Sequence, residues 1–126
     1  MARCSTAKFG DVVCRRGGIK PFAYGPDSEA ESTELNPMGP MPGGKMVTAS
    51  GDAQRTEQQM MARLELSDED FARNSKLAPG TRRKYVEIPR NVSAALQSDG
   101  SLQLKFELSS GAFATVLLAE ICGELI

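Results

Sequence analysis

An α+β fold, a small antiparallel sheet of hairpins with two or three packed helices, is what this sequence predicts, and three observations carry the prediction. The turn dipeptides Gly17-Gly18 and Asp99-Gly100 each lie beside short strand-like runs, as the tips of hairpins do. Leu102, Leu104, Phe106 and Leu108 alternate with Gln103, Lys105 and Glu107, the period of an antiparallel strand with one wet face. Helical spacing behind capping residues recurs in the middle of the chain and at its end, so the element order is β-β-loop-α-α-β-β-β-α.

The elements follow in order. Asp11-Val12-Val13-Cys14 reads as a short strand, Gly17-Gly18 as its turn, and Ile19 to Tyr24 as the returning strand. Pro21 restricts that returning strand to an edge, or itself to the strand's beginning. From Gly25 to Gly44 the chain reads as a long loop: Asp27, Glu29, Glu31 and Glu34 form an acidic stretch, then Pro37, Pro40 and Pro42 interleave with glycines. Asp52 predicts an N-cap for a helix over 53–64, with Ala53, Met60, Met61 and Leu64 sharing one face. Ser67 with Asp70 predicts a capping box, and Leu66 with Phe71 a hydrophobic staple, at the start of a second, shorter helix. Arg82 to Pro89 reads as a strand with Val86 and Ile88 inward. Ser109 or Ser110 caps a last helix from about Ala112 to the C-terminus, where Phe113, Val116, Leu117, Leu118, Ile121, Cys122 and Leu125 make it apolar nearly all round. Such a helix calls for burial on more than one side.

The 126 residues suit one compact domain, and 40% hydrophobic with 25% charged residues is an ordinary soluble composition. A formal charge of −1 supplies no global attraction to nucleic acid, so any RNA contact must come from a local patch. The chain has no histidine, which excludes Ser-His-Asp and Cys-His catalysis and imidazole metal sites. Cys4, Cys14 and Cys122, odd in number and without C-x-x-C spacing, read as reduced and mostly buried thiols. No run approaches the ~20 apolar residues of a membrane span. No apolar stretch follows Met1-Ala2-Arg3-Cys4-Ser5 as in a secretory signal, and a cytoplasmic location is expected.

Gly39 to Lys45 matches the body of a phosphate-binding G-x-x-x-x-G-K loop, but Met46 replaces the metal-binding hydroxyl and two prolines remove donors from the cradle. It reads as a turn-rich loop. Basic residues cluster twice: Arg15, Arg16 and Lys20 flank the first turn, while Arg82, Arg83, Lys84 and Arg90 surround the later strand. The plain reading is a solvated face. The functional reading is contact with RNA phosphates, for which guanidinium groups are suited. Phe22, Tyr24 and Tyr85 are the aromatic residues near these clusters, and no carboxylate pair stands out as a general acid and base.

Four segments in order resemble one family. Gly10-Asp11-Val12-Val13-Cys14 with Gly17-Gly18 and Lys20-Pro21-Phe22, then Glu34 to Gly43, are similar to parts of the insertion domain of pseudouridine synthases of the TruD type. Gly80-Thr81-Arg82-Arg83 with Val86 and Pro89 resembles the segment leading back into that family's catalytic domain. Leu104 to Leu108 and Gly111 to Leu118 resemble its closing strand and helix. On this resemblance, residues 1–80 correspond to the end of the insertion domain and 81–126 to the end of the catalytic domain. Three positions depart from the pattern: Ser109 stands where the family usually has Pro, Ala119 where it has Arg, and Ala94 where it has Trp.

The resemblance implies isomerisation of a uridine in tRNA, with no metal or cofactor. It also implies that the attacking aspartate and an Asn-x-Phe pocket element precede the insertion domain, and neither has a counterpart here. This chain alone is therefore expected to bind tRNA or another structured RNA through Arg82, Arg83, Arg90, Arg15, Arg16 and Lys20 and to be catalytically inactive. Two rival expectations are a stand-alone interaction module without an RNA role, homodimeric or with another protein through the apolar last helix, and one half of a split enzyme.

Overall fold

The structure, a computed structural model, describes residues 6–123; Cys4, Leu125 and the opening Met1-to-Ser5 stretch lie outside the described residues. The chain that reads as one domain groups into two units, Met1–Val86 and Glu87–Ile126. The fold is α+β, as predicted.

The first unit holds a four-stranded antiparallel sheet of order β2-β1-β3-β4, built from β1 (Val12–Arg15), β2 (Phe22–Ala23), β3 (Leu35–Met41) and β4 (Thr81–Lys84). Val12, Val13 and Cys14 are all buried, so β1 is covered on both faces. Ala7, Val13, Tyr24, Ala30 and Leu35 form the core cluster, with Phe22 packed against it. The first hairpin forms, but with a wider connection than a two-residue turn. Gly18 N–H closes a turn on the Arg15 carbonyl at 2.9 Å, Gly17 takes a φ of 79°, and pairing resumes at Val13 with Phe22. Ile19 is left 78% exposed.

The largest departure from expectation is β3. A segment that reads as loop, because of Pro37, Pro40 and its glycines, is a strand in the interior of the sheet. It changes partner midway, pairing β1 along Leu35, Asn36 and Pro37, and β4 along Met38 to Met41. Both prolines fall where a missing N–H costs little. The Pro37 carbonyl accepts from Tyr85 N–H at 3.0 Å, just past the end of β4, so its nitrogen faces the place where that ladder stops. Backbone alternation turns the Pro40 nitrogen to the opposite edge, beyond the start of β1.

Helix α1 (Gly51–Arg63) starts at a Ser50 N-cap, two residues before the Asp52 cap that was expected. It buries none of its residues: Met60 is 53% and Leu64 66% exposed, and Ala53 and Met61 are half-buried. Helix α2 (Asp68–Arg73) starts where predicted. Ser67 N–H and its hydroxyl each donate to the same Asp70 carboxylate oxygen, both at 2.8 Å. The backbone bond first, and the hydroxyl second, hold the Asp70 carboxyl below its ordinary range.

The second unit consists of hairpin β5–β6 (Arg90–Leu96 and Leu102–Glu107) and helix α3 (Ala114–Cys122). Asp99-Gly100 forms the predicted turn, with Gly100 at φ 84° and Gly100 N–H on the Gln97 carbonyl at 3.0 Å. The hydroxyl of Ser101, then its N–H, bind the Asp99 carboxylate and lower its pKa. Alternation in β6 is as expected, with Leu104 and Phe106 half-buried between exposed polar residues. Neither Ser109 nor Ser110 caps α3; its N-cap is Phe113, and Ser109 instead donates through N–H (2.9 Å) and hydroxyl to the Glu87 carboxylate. Ile88, expected inward on a strand running to Pro89, is 65% exposed, and β4 ends at Lys84. Cys14 is buried as expected; Cys122 is exposed.

Candidate nucleic-acid interface

Arg82 and Arg83 are neighbours in β4, and successive strand residues project to opposite faces. That alternation separates them. Arg82 points to the face where α1 lies, and its side chain has no exposed surface. Its guanidinium makes a two-pronged contact with the Glu57 carboxylate of α1, Nη1 at 2.6 Å and Nη2 at 3.0 Å, while Nε donates to the Val47 carbonyl at 2.9 Å. Arg82, expected to contact phosphate, has each of its three guanidinium nitrogens engaged inside the protein, and the contact ties helix to sheet. The signal for its partner was present. Glu57 stands four residues from both Ala53 and Met61, a carboxylate in the middle of the stripe read as apolar.

Arg83 projects to the other face, opposite Gly39, and is exposed. Lys84, next in the strand, is half-buried, and Tyr85 is 56% exposed.

The turn after β1 carries the second cluster. Three buried residues anchor the strand, and Arg16 N–H donates to the Glu34 carbonyl at 2.9 Å, so the basic side chains start from a fixed backbone. Arg15, Arg16 and Lys20 are all exposed. Arg15 lies 4.0 Å from Glu34 with both side chains mostly in water, a pairing worth little and easily given up to a phosphate. Arg90 belongs to the second unit, where it opens β5 opposite Glu107 and is exposed.

Gly39, Pro40 and Met41, the start of the phosphate-loop match, are strand residues paired with β4, so they form no phosphate cradle. Among the described residues no group of three or more His, Cys, Asp or Glu side chains is placed to hold a metal ion, and no helix is long and apolar enough to cross a membrane.

The chain is thus an α+β protein in which the exposed candidate cations Arg15, Arg16, Lys20, Arg83 and Arg90 lie on a turn, one strand face and a hairpin start. A family model described as tRNA pseudouridine synthase D (TruD) matches residues 19–121. The tRNA pseudouridine synthase D of Anaeromyxobacter sp. (strain Fw109-5) is 36% identical over 123 residues, 93% of this chain and 34% of that protein. Those of Geobacter sp. (strain M21) and Syntrophotalea carbinolica are 38% and 32% identical, each over 73% of this chain and 23% of their own length. The chain belongs to the tRNA pseudouridine synthase D (TruD) family, and it spans between about a quarter and a third of the length of these relatives. No solved structure matches it.

Proposed function

We propose that this chain is an RNA-binding portion of a TruD-type pseudouridine synthase, holding tRNA phosphates and leaving uridine isomerisation to residues it does not itself carry. The observation that supports this most directly is the triad of exposed cations Arg15, Arg16 and Lys20 on an anchored turn. Arg83 and Arg90 add exposed cations in the first and second unit respectively. Phosphate contacts of this kind work by releasing counterions, so binding weakens as salt rises.

The experiment is a tRNA titration at several salt concentrations. Arg15→Ala, Arg16→Ala and Lys20→Ala combined are expected to weaken binding at low salt and to reduce the slope of log K against log salt by about 0.7–0.9 for each phosphate that is no longer neutralised. An unchanged slope would remove these residues from the interface. The same purified chain, incubated with a transcript, is expected to convert no uridine; conversion in the absence of other enzymes would overturn the division of labour.

One observation favours a second reading, in which the chain also docks on protein. Among the described residues of the second unit none is buried, while Val92, Leu96, Leu102, Phe113, Val116 and Ile121 are each more than half exposed. Apolar surface of that extent marks an interaction site. The occupant is a second copy, or a separate protein carrying the remainder of the enzyme. Light scattering that reads a strict monomer at all concentrations counts against the homodimer, and isomerisation restored by an added catalytic polypeptide supports the split enzyme.

A further inference from the structure

Tyr85 combines a fixed position with an exposed ring. Its N–H donates to the Pro37 carbonyl at 3.0 Å, and the carbonyl of the next residue, Val86, accepts from the Asn36 side-chain amide at 2.9 Å. The backbone is therefore held on both sides of the ring. Gly39 then forms the seat. A Cβ added there would stand 2.7 Å from Tyr85 Cε1, 3.0 Å from Cζ and 3.1 Å from Oη, so the phenol end rests on bare backbone, and a side chain at this position would push the ring away. Tyr85 is seated on one side and 56% exposed overall. It follows directly on the cations Arg83 and Lys84, and the seat itself, Gly39, is the cross-strand partner of Arg83.

We propose that Tyr85 is a stacking platform for one unpaired RNA base, with Arg83, two residues back and on the same strand face, holding a phosphate beside that nucleotide. This deepens the RNA-binding reading and rests on it. An aromatic ring accepts the face of any base, and a ring already fixed in place loses little freedom on stacking, whereas a duplex keeps its bases inside and offers none. The platform therefore discriminates single-stranded from paired RNA, a distinction the basic turn cannot make by charge alone.

The chain supplies its own probe. It has no tryptophan and two tyrosines, of which Tyr24 is buried, so stacking on Tyr85 is read as quenching of tyrosine fluorescence, corrected for absorbance. Oligouridylate is expected to quench the wild-type protein, and a duplex RNA of equal length to bind without quenching. Tyr85→Phe is expected to keep oligouridylate affinity while losing the quench, and Tyr85→Leu to weaken oligouridylate about 10-fold with duplex affinity and salt slope unchanged. Equal oligouridylate affinity for Tyr85→Leu and wild type, or a quench that persists in Tyr85→Phe, overturns the platform while the phosphate-binding reading stands. Failure of the wild-type chain to bind either RNA overturns both. Should Tyr85→Leu not fold, the comparison of wild type with Tyr85→Phe still decides.

Discussion

Arg82→Ala is expected to destabilise the first unit by about 3–5 kcal/mol, the cost of breaking a buried ion pair from one side. The side chain of Arg82 is wholly buried and that of Glu57 is 22% exposed, so the carboxylate left behind has little access to water. The Val47 carbonyl would lose its donor at the same time. Since small domains are stable by about 5–15 kcal/mol in total, such a loss takes a large share. Urea unfolding, followed by near-ultraviolet circular dichroism of the buried Tyr24, should show a midpoint lowered by roughly 2–3 M for an m-value near 1.5 kcal/mol/M. Arg82→Lys should recover only part of the loss, because one ammonium cannot reproduce the fork. Arg82→Met with Glu57→Leu should recover most of it, because the uncompensated charge is then gone. An unchanged midpoint in Arg82→Ala would show that the pair does not hold α1 to the sheet. Any weakening of RNA binding by this substitution is expected to track unfolding, unlike that of the turn cations.

Gly80→Ala is the second large effect. The connection after β3 and the connection before β4 cross backbone to backbone, with Gly44 N–H on the Ala78 carbonyl at 3.1 Å and Lys45 N–H on the Pro79 carbonyl at 2.7 Å. A Cβ on Gly80 would meet Gly43 Cα at 2.5 Å, and the residue sits at φ 75°. Clash and backbone strain then add, each about 1–3 kcal/mol. Gly43→Ala tests the clash alone, since its Cβ would lie 2.0 Å from Gly80 N without an unfavourable φ. Gly17→Ala tests the strain alone, at φ 79° with nothing within 4 Å. The expected order of unfolding midpoints is wild type, then Gly17→Ala, with Gly80→Ala lowest. Equal midpoints for Gly17→Ala and Gly80→Ala would mean that the crossing is loose. A tight crossing matters for the interface as well, because it sets the register of β4 on β3 and thus which arginine faces inward.

Much of the local structure was legible. The Ser67–Asp70 start of α2, the Asp99-Gly100 turn and the alternation of β6 each depend on residues close in sequence, and all three appear. The interface was legible in part. The turn cations follow from a hairpin whose tip must be wet, whereas nothing in the run Arg82-Arg83 tells which member is inside.

What the sequence determined by itself was the class of the fold, the Asp99-Gly100 turn, the capped start of α2, and kinship with the TruD family, because these depend on short-range spacing and on ordered motifs. Tertiary structure alone decided that a proline-rich stretch is an inner strand, that Glu57 receives Arg82, and that Gly39 seats Tyr85. The physical reason is that a proline is harmless or disruptive according to which edge its nitrogen faces, and a charge is surface or core according to what lies opposite. Both are set by partners 25 or more residues away, as with Glu57 and Arg82.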